Sequence, residues 1–175
     1  MAQSQYPDIA AGRRITGNLL RQMIWTRKEK ETSDPPRVNA TLAPDPELSA
    51  ITLGIGKYEV ESIIFALHES SGTTTTNIAL KWGFTGSASC VRRAIGIAAS
   101  SANTTAASMR NIGSAIGTTQ TYGVTGTFFH PIREEFTLTV TSAGDLSVDW
   151  AQGTTNAANA IRVGVGSFVR WRQIA

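Results

Sequence analysis

The stretch from Glu134 to Ala151, "EEFTLTVTSAGDLSVDWA", alternates apolar and polar residues with a period of two on both sides of a short break. Phe136, Leu138 and Val140 stand against Thr137, Thr139 and Thr141; past the break, Leu146, Val148 and Trp150 stand against Ser147 and Asp149. A helix would scatter these side chains around its axis, whereas a strand puts every second one on the same face. The pattern therefore commits the chain to β structure with one buried face, because a one-residue slip would turn the whole apolar set to water. The break, "SAGD", is made of turn residues, so the two runs are expected to pair as a hairpin.

Other segments carry the same period. In "KYEVESIIFALHES", Tyr58, Val60, Ile64 and Ala66 share a face with Ser62. The opposite face begins with Glu59 and Glu61 and turns apolar at Ile63, Phe65 and Leu67. A strand apolar on both faces is central or lies at a subunit contact. In "NIALKWGF", Ile78, Leu80, Trp82 and Phe84 alternate with Ala79, Lys81 and Gly83, and the intervening "SSGTTTT" supplies a turn, so these two segments also read as a hairpin. The closing "AIRVGVGSFVRWRQ" places Val163, Val165, Val169 and Trp171 on one face and Phe168, Arg170 and Arg172 on the other. Residues 86–127 are small and polar with scattered Ile, Val and Met, which reads as short strands joined by long loops. Together these runs predict an all-β protein, an antiparallel β-sandwich with a jelly-roll-like head.

The beginning of the chain differs. In "DIAAGRRITGNLLRQMIW", Ile15, Leu19 and Met23 recur every four residues with Leu20 and Ile24 beside them, the spacing of a short amphipathic helix. Gly12 and Gly17 each cost up to about 1 kcal/mol in a helix interior, so this helical or extended segment orders by packing on something else. Pro35, Pro36, Pro44 and Pro46 then forbid helix and interior strand, leaving an extended connector and an edge. The expected organisation is an anchoring or stalk segment over residues 1–34 and a β-sandwich domain over residues 35–175.

The net charge of +3 is concentrated near the two ends, from Arg13 to Arg37 and again at Arg162, Arg170 and Arg172. A nucleic-acid-binding domain of this size usually carries more, so no nucleic-acid partner is expected. One cysteine, Cys90, excludes an intramolecular disulfide and any multi-cysteine metal site. No apolar run approaches the roughly 20 residues that span a bilayer, and the start lacks the order of a signal peptide. The chain is expected to be made in the cytoplasm of its host without membrane insertion.

Candidate chemistry is sparse. A nucleophilic triad could draw only on His68 and His130, and no Gly-x-Ser-x-Gly elbow is present. The spacing of His68, Cys90 and His130 matches no metal motif. Glu59 with Glu61 and Glu134 with Glu135 are carboxylate pairs, but a glycosidase needs two carboxyls facing each other about 5 to 10 Å apart across a cleft. Glu59 and Glu61 are expected to meet solvent or a neighbour's arginines. The "RWR" at residues 170–172 could stack on bases, yet in register Trp171 belongs with Val169 in the core, and its arginines point away toward a neighbouring subunit's acids. No catalytic residue, metal or cofactor is expected.

Three blocks carry a resemblance: "DIAAGRRITGNLLRQMI", "NATLAPDPELSAITLGIGKYEVES" and "LSVDWAQGTTNAANAIRVGVGSFVRWRQIA". They resemble virion proteins of tailed phages of actinobacteria, usually labelled minor tail or structural proteins. That group begins with G-R-R-I-T-x-x-L-L, passes through a D-[DP]-x-L step and ends with W-A-Q and a later G-S-[WF]-[LV]-R. The match covers about half the chain and describes architecture more than chemistry.

The resemblance implies a non-enzymatic surface component of the tail or capsid, with a β-sandwich head assembled around a threefold axis and held to the particle by its N-terminal segment. The expected partners are further copies in a homotrimer and other virion proteins such as the major capsid, tail or baseplate protein. Arg13, Arg14, Ile15, Leu19, Leu20, Arg21, Met23 and Ile24 are the candidate anchor, and Ile63, Phe65, Leu67, Phe168, Arg170 and Arg172 the candidate subunit contact. The alternative is a module that binds a host cell-surface glycan, with Tyr122, Trp82 and Trp150 as suspects.

Overall fold

The computed structural model describes residues 14, 16–69, 76–99, 107–112, 116–124 and 128–175; for residues 18, 19, 21 and 107–112 it describes the backbone alone. A short helix α1 (Gly17–Met23) leads into strands β1 (Thr26–Glu29), β2 (Ala43–Pro44), β3 (Ile51–Leu53) and β4 (Gly56–His68). These are followed by β5 (Thr76–Phe84), β6 (Ser87–Ile97), β7 (Ala107–Ile112), β8 (Gln120–Val124), β9 (His130–Ser142) and β10 (Gly144–Gln152). After a 3-10 turn at Ala157–Asn159 the chain closes with β11 (Ile161–Val163) and β12 (Phe168–Gln173).

Every pairing between these strands is antiparallel, and they form two sheets. One has the order β1, β12, β4, β9, β6, β7, with β11 continuing the β12 edge of β4. The other has the order β2, β10, β5, β8, with β3 beside β10 on the β2 edge. The alternation read from the sequence supplies the apolar faces. Val60, Ile64, Phe136 and Leu138 from the first sheet and Ile78, Leu80, Val148 and Trp150 from the second belong to one buried cluster. β4, apolar on both faces, is the central strand of its sheet, bordered by β9 on one side and by β11 and β12 on the other.

Neither expected hairpin forms. β9 pairs with β4 and β6, whereas β10 pairs with β2, β3 and β5, so the break at Ala143 carries the chain from one sheet to the other. β4 and β5 likewise lie in different sheets. The physical reason is that alternation fixes which face is buried and leaves open which strand lies alongside. Two strands that approach the same core from opposite sides show the same period as two paired strands. A second crossing, between β5 and β6, packs against the first: Thr85 donates its N–H to Asp145 O at 3.1 Å, and Asp145 N–H donates back to Thr85 Oγ1 at 2.8 Å. Gly86 and Gly144 meet backbone to backbone there, and a Cβ on either would overlap the other turn.

The reading of residues 86–127 as short strands is corrected by β6, an 11-residue strand with an inverted pattern. Cys90, Arg92 and Ala94 point into the core while Val91 and Ile95 are exposed. Arg92 is accommodated because the sheets close over a polar cluster. Glu134 of β9, fully buried, accepts from Arg92 Nη2 at 3.0 and 2.7 Å, from Trp82 Nε1 of β5 at 2.6 Å and from Tyr122 Oη of β8 at 2.6 Å. Arg92 Nη1 donates to Thr118 O at 2.7 Å. Trp82 also packs edge-on against Phe136, ring centroids 4.9 Å apart. Tyr122 reaches the carboxylate by lying across β6 at Gly96, where a Cβ would come within 2.6 Å of its ring.

The sheet begins earlier than the division at residue 34 implies. β1 pairs with β12 from Thr26 to Glu29, and Lys30 and Asp34 are buried. Trp171 shares the inward face with Val169 but lies at the margin of the core, half-buried.

Removing one partner of the buried polar cluster leaves a charge without its complement, a loss of about 3 to 5 kcal/mol. Glu134→Ala is expected to fall in that range, and Tyr122→Phe, which deletes a single bond to a charged group, at about 1.5 to 3 kcal/mol. Denaturant unfolding of the two variants checks the order; a Glu134→Ala protein as stable as the wild type would show that the cluster does not tie the sheets.

Candidate interaction surfaces

The candidate anchor residues lie before α1, along it and, at Ile24, directly after it. Arg13 and Ile15 fall outside the described residues, and for Leu19 and Arg21 only the backbone is described. Arg14 is exposed, and Leu20, Met23 and Ile24 are 45%, 42% and 60% exposed. Their exposure follows from the length of α1, which is too short to bury a full stripe. A groove of about 260 Å3 runs between Leu20 and Ile24 on one side and Leu53, Tyr58 and Trp171 on the other. Trp171 thus forms the floor beneath the helix as well as the edge of the core.

The outward face of the first sheet carries an ion-pair ladder. Strand register aligns Arg170, Glu61, Glu135 and Arg93 in one row across β12, β4, β9 and β6. Arg170 Nε donates to Glu61 Oε2 at 2.8 Å, and its Nη2 pairs with the same oxygen. Arg172 Nε donates to Glu59 Oε2 at 2.7 Å, and Arg133 reaches Glu61 at 3.1 Å and Glu135 at 3.3 Å. The Trp25 ring lies against both terminal arginines, 4.7 Å from the Arg170 guanidinium carbon and 5.0 Å from that of Arg172. Glu59 and Glu61 were expected to meet solvent or a neighbour's arginines. They meet arginines of their own chain, because antiparallel register brings β12 against β4. Arg170 and Arg172 are accordingly engaged within the molecule, and Phe168 carries Arg27 over its ring at 4.0 Å. Ile63, Phe65 and Leu67 face outward, half-buried.

The glycan suspects lie inside. Trp82, Trp150 and Tyr122 are all buried, so none presents a ring to a sugar. Glu134 and Glu135, as neighbours on one strand, point to opposite faces and form no catalytic pair. Cys90 is buried, and burial pushes its thiol above the ordinary range despite the nearby Arg92. His68 is fully buried at the end of β4, with no hydrogen-bond partner for either ring nitrogen among the described residues.

The connector hides a second polar cluster that period and motif did not indicate. Lys30 Nζ, fully buried, donates to Asp34 Oδ1 at 2.7 Å, Asp45 Oδ1 at 3.1 Å and Glu47 Oε1 at 3.4 Å. Asp45 also accepts from the backbone N–H groups of Glu47 and Leu48 at 2.9 Å each and from Trp150 Nε1 at 3.2 Å. Arg37 stacks on the Trp150 ring at 3.8 Å and donates to the carbonyl of Ala43 at 2.9 Å. Six charged residues from Lys30 to Glu47, interrupted by prolines, look like a solvated linker in the sequence. Their spacing has no period from which burial could be read.

Burial, followed by the nearby Asp45 carboxylate, pushes Asp34 up to about 6. For Asp45 burial acts upward, but the neighbouring Asp34 and the backbone N–H groups of Leu48 and Glu47 hold it below the carboxylate range. Glu47 is drawn down to about 2 by the Thr32 hydroxyl and the Glu31 N–H. A raised folded value means that the folded state holds the Asp34 proton more tightly than the unfolded chain. The resulting stability is complete below the unfolded value of 3.8 and is lost as pH rises through about 6. Asp34→Asn keeps the acceptor for Lys30 and replaces the acid proton with an amide donor. It is expected to remove the decline in melting temperature between pH 4 and 7, and an unchanged decline would place the titrating group elsewhere.

Comparison with models of known protein families gives no match, and a search of curated proteins gives none.

Proposed function

We propose that this chain is a structural protein of a tailed-phage virion, a non-enzymatic surface component of the tail or capsid that is held to the particle by its N-terminal segment. Its head is jelly-roll-like, self-associates as a homotrimer and meets other virion proteins, among them the major capsid, tail or baseplate protein. The observation that carries this reading is the placement of α1. A short helix with Leu20, Met23 and Ile24 exposed is joined through Trp25 directly to the edge strand β1 of a two-sheet head. Such a helix lacks the length to be stable alone, and the exposed part of Leu20, Met23 and Ile24 is left for a surface outside the chain. The resemblance at both ends of the sequence supports the same conclusion. The glycan-binding alternative loses its three suspects to the core and is left with the outer-face groove beside Trp25, about 420 Å3 and lined largely by charged side chains.

Deleting residues 1–24 removes α1 and retains Trp25 and β1. The shortened protein is expected to keep the circular dichroism of the head and to be missing from purified particles when expressed during infection. Incorporation at the wild-type level would overturn the anchoring role. Binding of the same shortened protein to host cell wall, abolished by Trp25→Ala, would favour the glycan reading.

A further inference from the structure

The outward face of the first sheet is divided. Toward the Gly56 end of β4 it carries the ion-pair ladder; toward the His68 end it is largely apolar, with the Arg162–Glu69 ion pair beside Leu67 at its margin. Ile63 lies in register with Phe168 on one side and with Arg133 and then Ile95 on the other, and Phe65 lies opposite Pro131. Beyond them Phe128 is 77% exposed, Val165 54% and Ile95 46%. Soluble chains rarely leave aromatic and branched side chains together in water unless something covers them.

This patch is built rigidly. The Phe129 ring rests on Gly164, where a Cβ would overlap it. Gly164 N–H donates to Phe65 O at 2.9 Å, Phe65 N–H to Ser167 Oγ at 2.9 Å, and Ser167 Oγ–H to Gly164 O at 2.8 Å. Gly166 adopts φ +84°, which suits glycine, and donates to Lys30 O at 3.0 Å. Val165 at the tip of the turn donates its N–H to Ser33 Oγ at 3.2 Å. A surface held this firmly loses little conformational entropy when it is covered.

We propose that this apolar half-face is where the chain packs against a second copy of itself, centred on Phe65, Phe129 and Val165 and leaving out Arg170 and Arg172. The inference rests on the reading of the head as self-associating. The border of the patch favours a copy over a foreign partner, because it exposes both signs of charge, at Arg93, Arg133 and Glu135. A second copy presents the same mixture of signs, so that acid and cation can face each other across the seam, whereas a partner of one sign would meet like charge at some of these positions. The chain's net charge of +3 opposes self-association only weakly.

Sedimentation equilibrium of the full chain tests this. The wild type is expected to be oligomeric, and Val165→Glu and Phe128→Asp, both at exposed positions, to weaken association by about tenfold or more with unchanged thermal unfolding. Ile55→Glu, at a 70% exposed position near the opposite end of β4, is expected to associate like the wild type. A wild type that is monomeric at every soluble concentration overturns the inference, as does an Ile55→Glu loss equal to that of Val165→Glu. If Val165→Glu unfolds, Phe128→Asp alone decides. A monomer that still enters particles through residues 1–24 would remove this interface and leave the anchoring role standing.

Discussion

The two sheets are held in their relative positions by one buried carboxylate. Glu134 gathers Arg92 from its own sheet and Trp82 and Tyr122 from the other. Apolar packing alone is not directional and would tolerate sliding of one sheet over the other. A desolvated charge does not: any slip takes the Trp82 and Tyr122 donors away from Glu134 and leaves buried polar groups without partners. The smaller features near the cluster follow from it. Gly96 is bare so that Tyr122 can cross β6, and the loop before β8 presents Thr118 O to the second arm of the guanidinium.

This arrangement also explains which parts of the fold were legible in the sequence. The inner faces of β4, β5, β9 and β10 carry the apolar residues that the period-two rule selects, while Glu61, Ala79, Asp149 and Ala151 of the opposite parity are buried by neighbouring segments. β6 defeats the rule because it presents Arg92 to the core and Val91 and Ile95 to the outside. Its one readable sign is the run of small residues at Cys90, Ala94 and Gly96, which marks a face approached closely by larger side chains. The two expected hairpins fail to form for a different reason. Pairing is a long-range property, and the crossing between sheets at Ala143 is flanked by the same Gly, Ser and Asp as a tight turn within one.

The candidate surfaces were legible in the same uneven way. Ile63, Phe65 and Leu67 were identified as outward and apolar from parity alone, and they lie on that face. Phe129 and Val165 join them only through the fold of the turn between β11 and β12, which no spacing encodes. Arg170 and Arg172 were identified as outward too, yet parity could not reveal that the strand beside them supplies Glu61 and Glu59. A charge on a strand face finds its partner across the ladder, so its neighbour in space is set by register and not by proximity in sequence.

Register also decides how α1 is joined to the two sheets. β1 adds four residues to the edge beside β12, and directly after it Lys30 plunges into a pocket of three carboxylates drawn from the connector. A load applied to α1 passes along β1, where the ladder bonds to β12 lie across the strand direction and are strained together, not one at a time. Beyond the ladder it meets Lys30, which cannot leave its pocket without stranding Asp34 and Asp45. The connector is in turn fastened to β10 through Asp45 and Arg37 at Trp150. The chain thus ties its exposed helix to both sheets: by strand pairing to the first and by a buried ion cluster to the second.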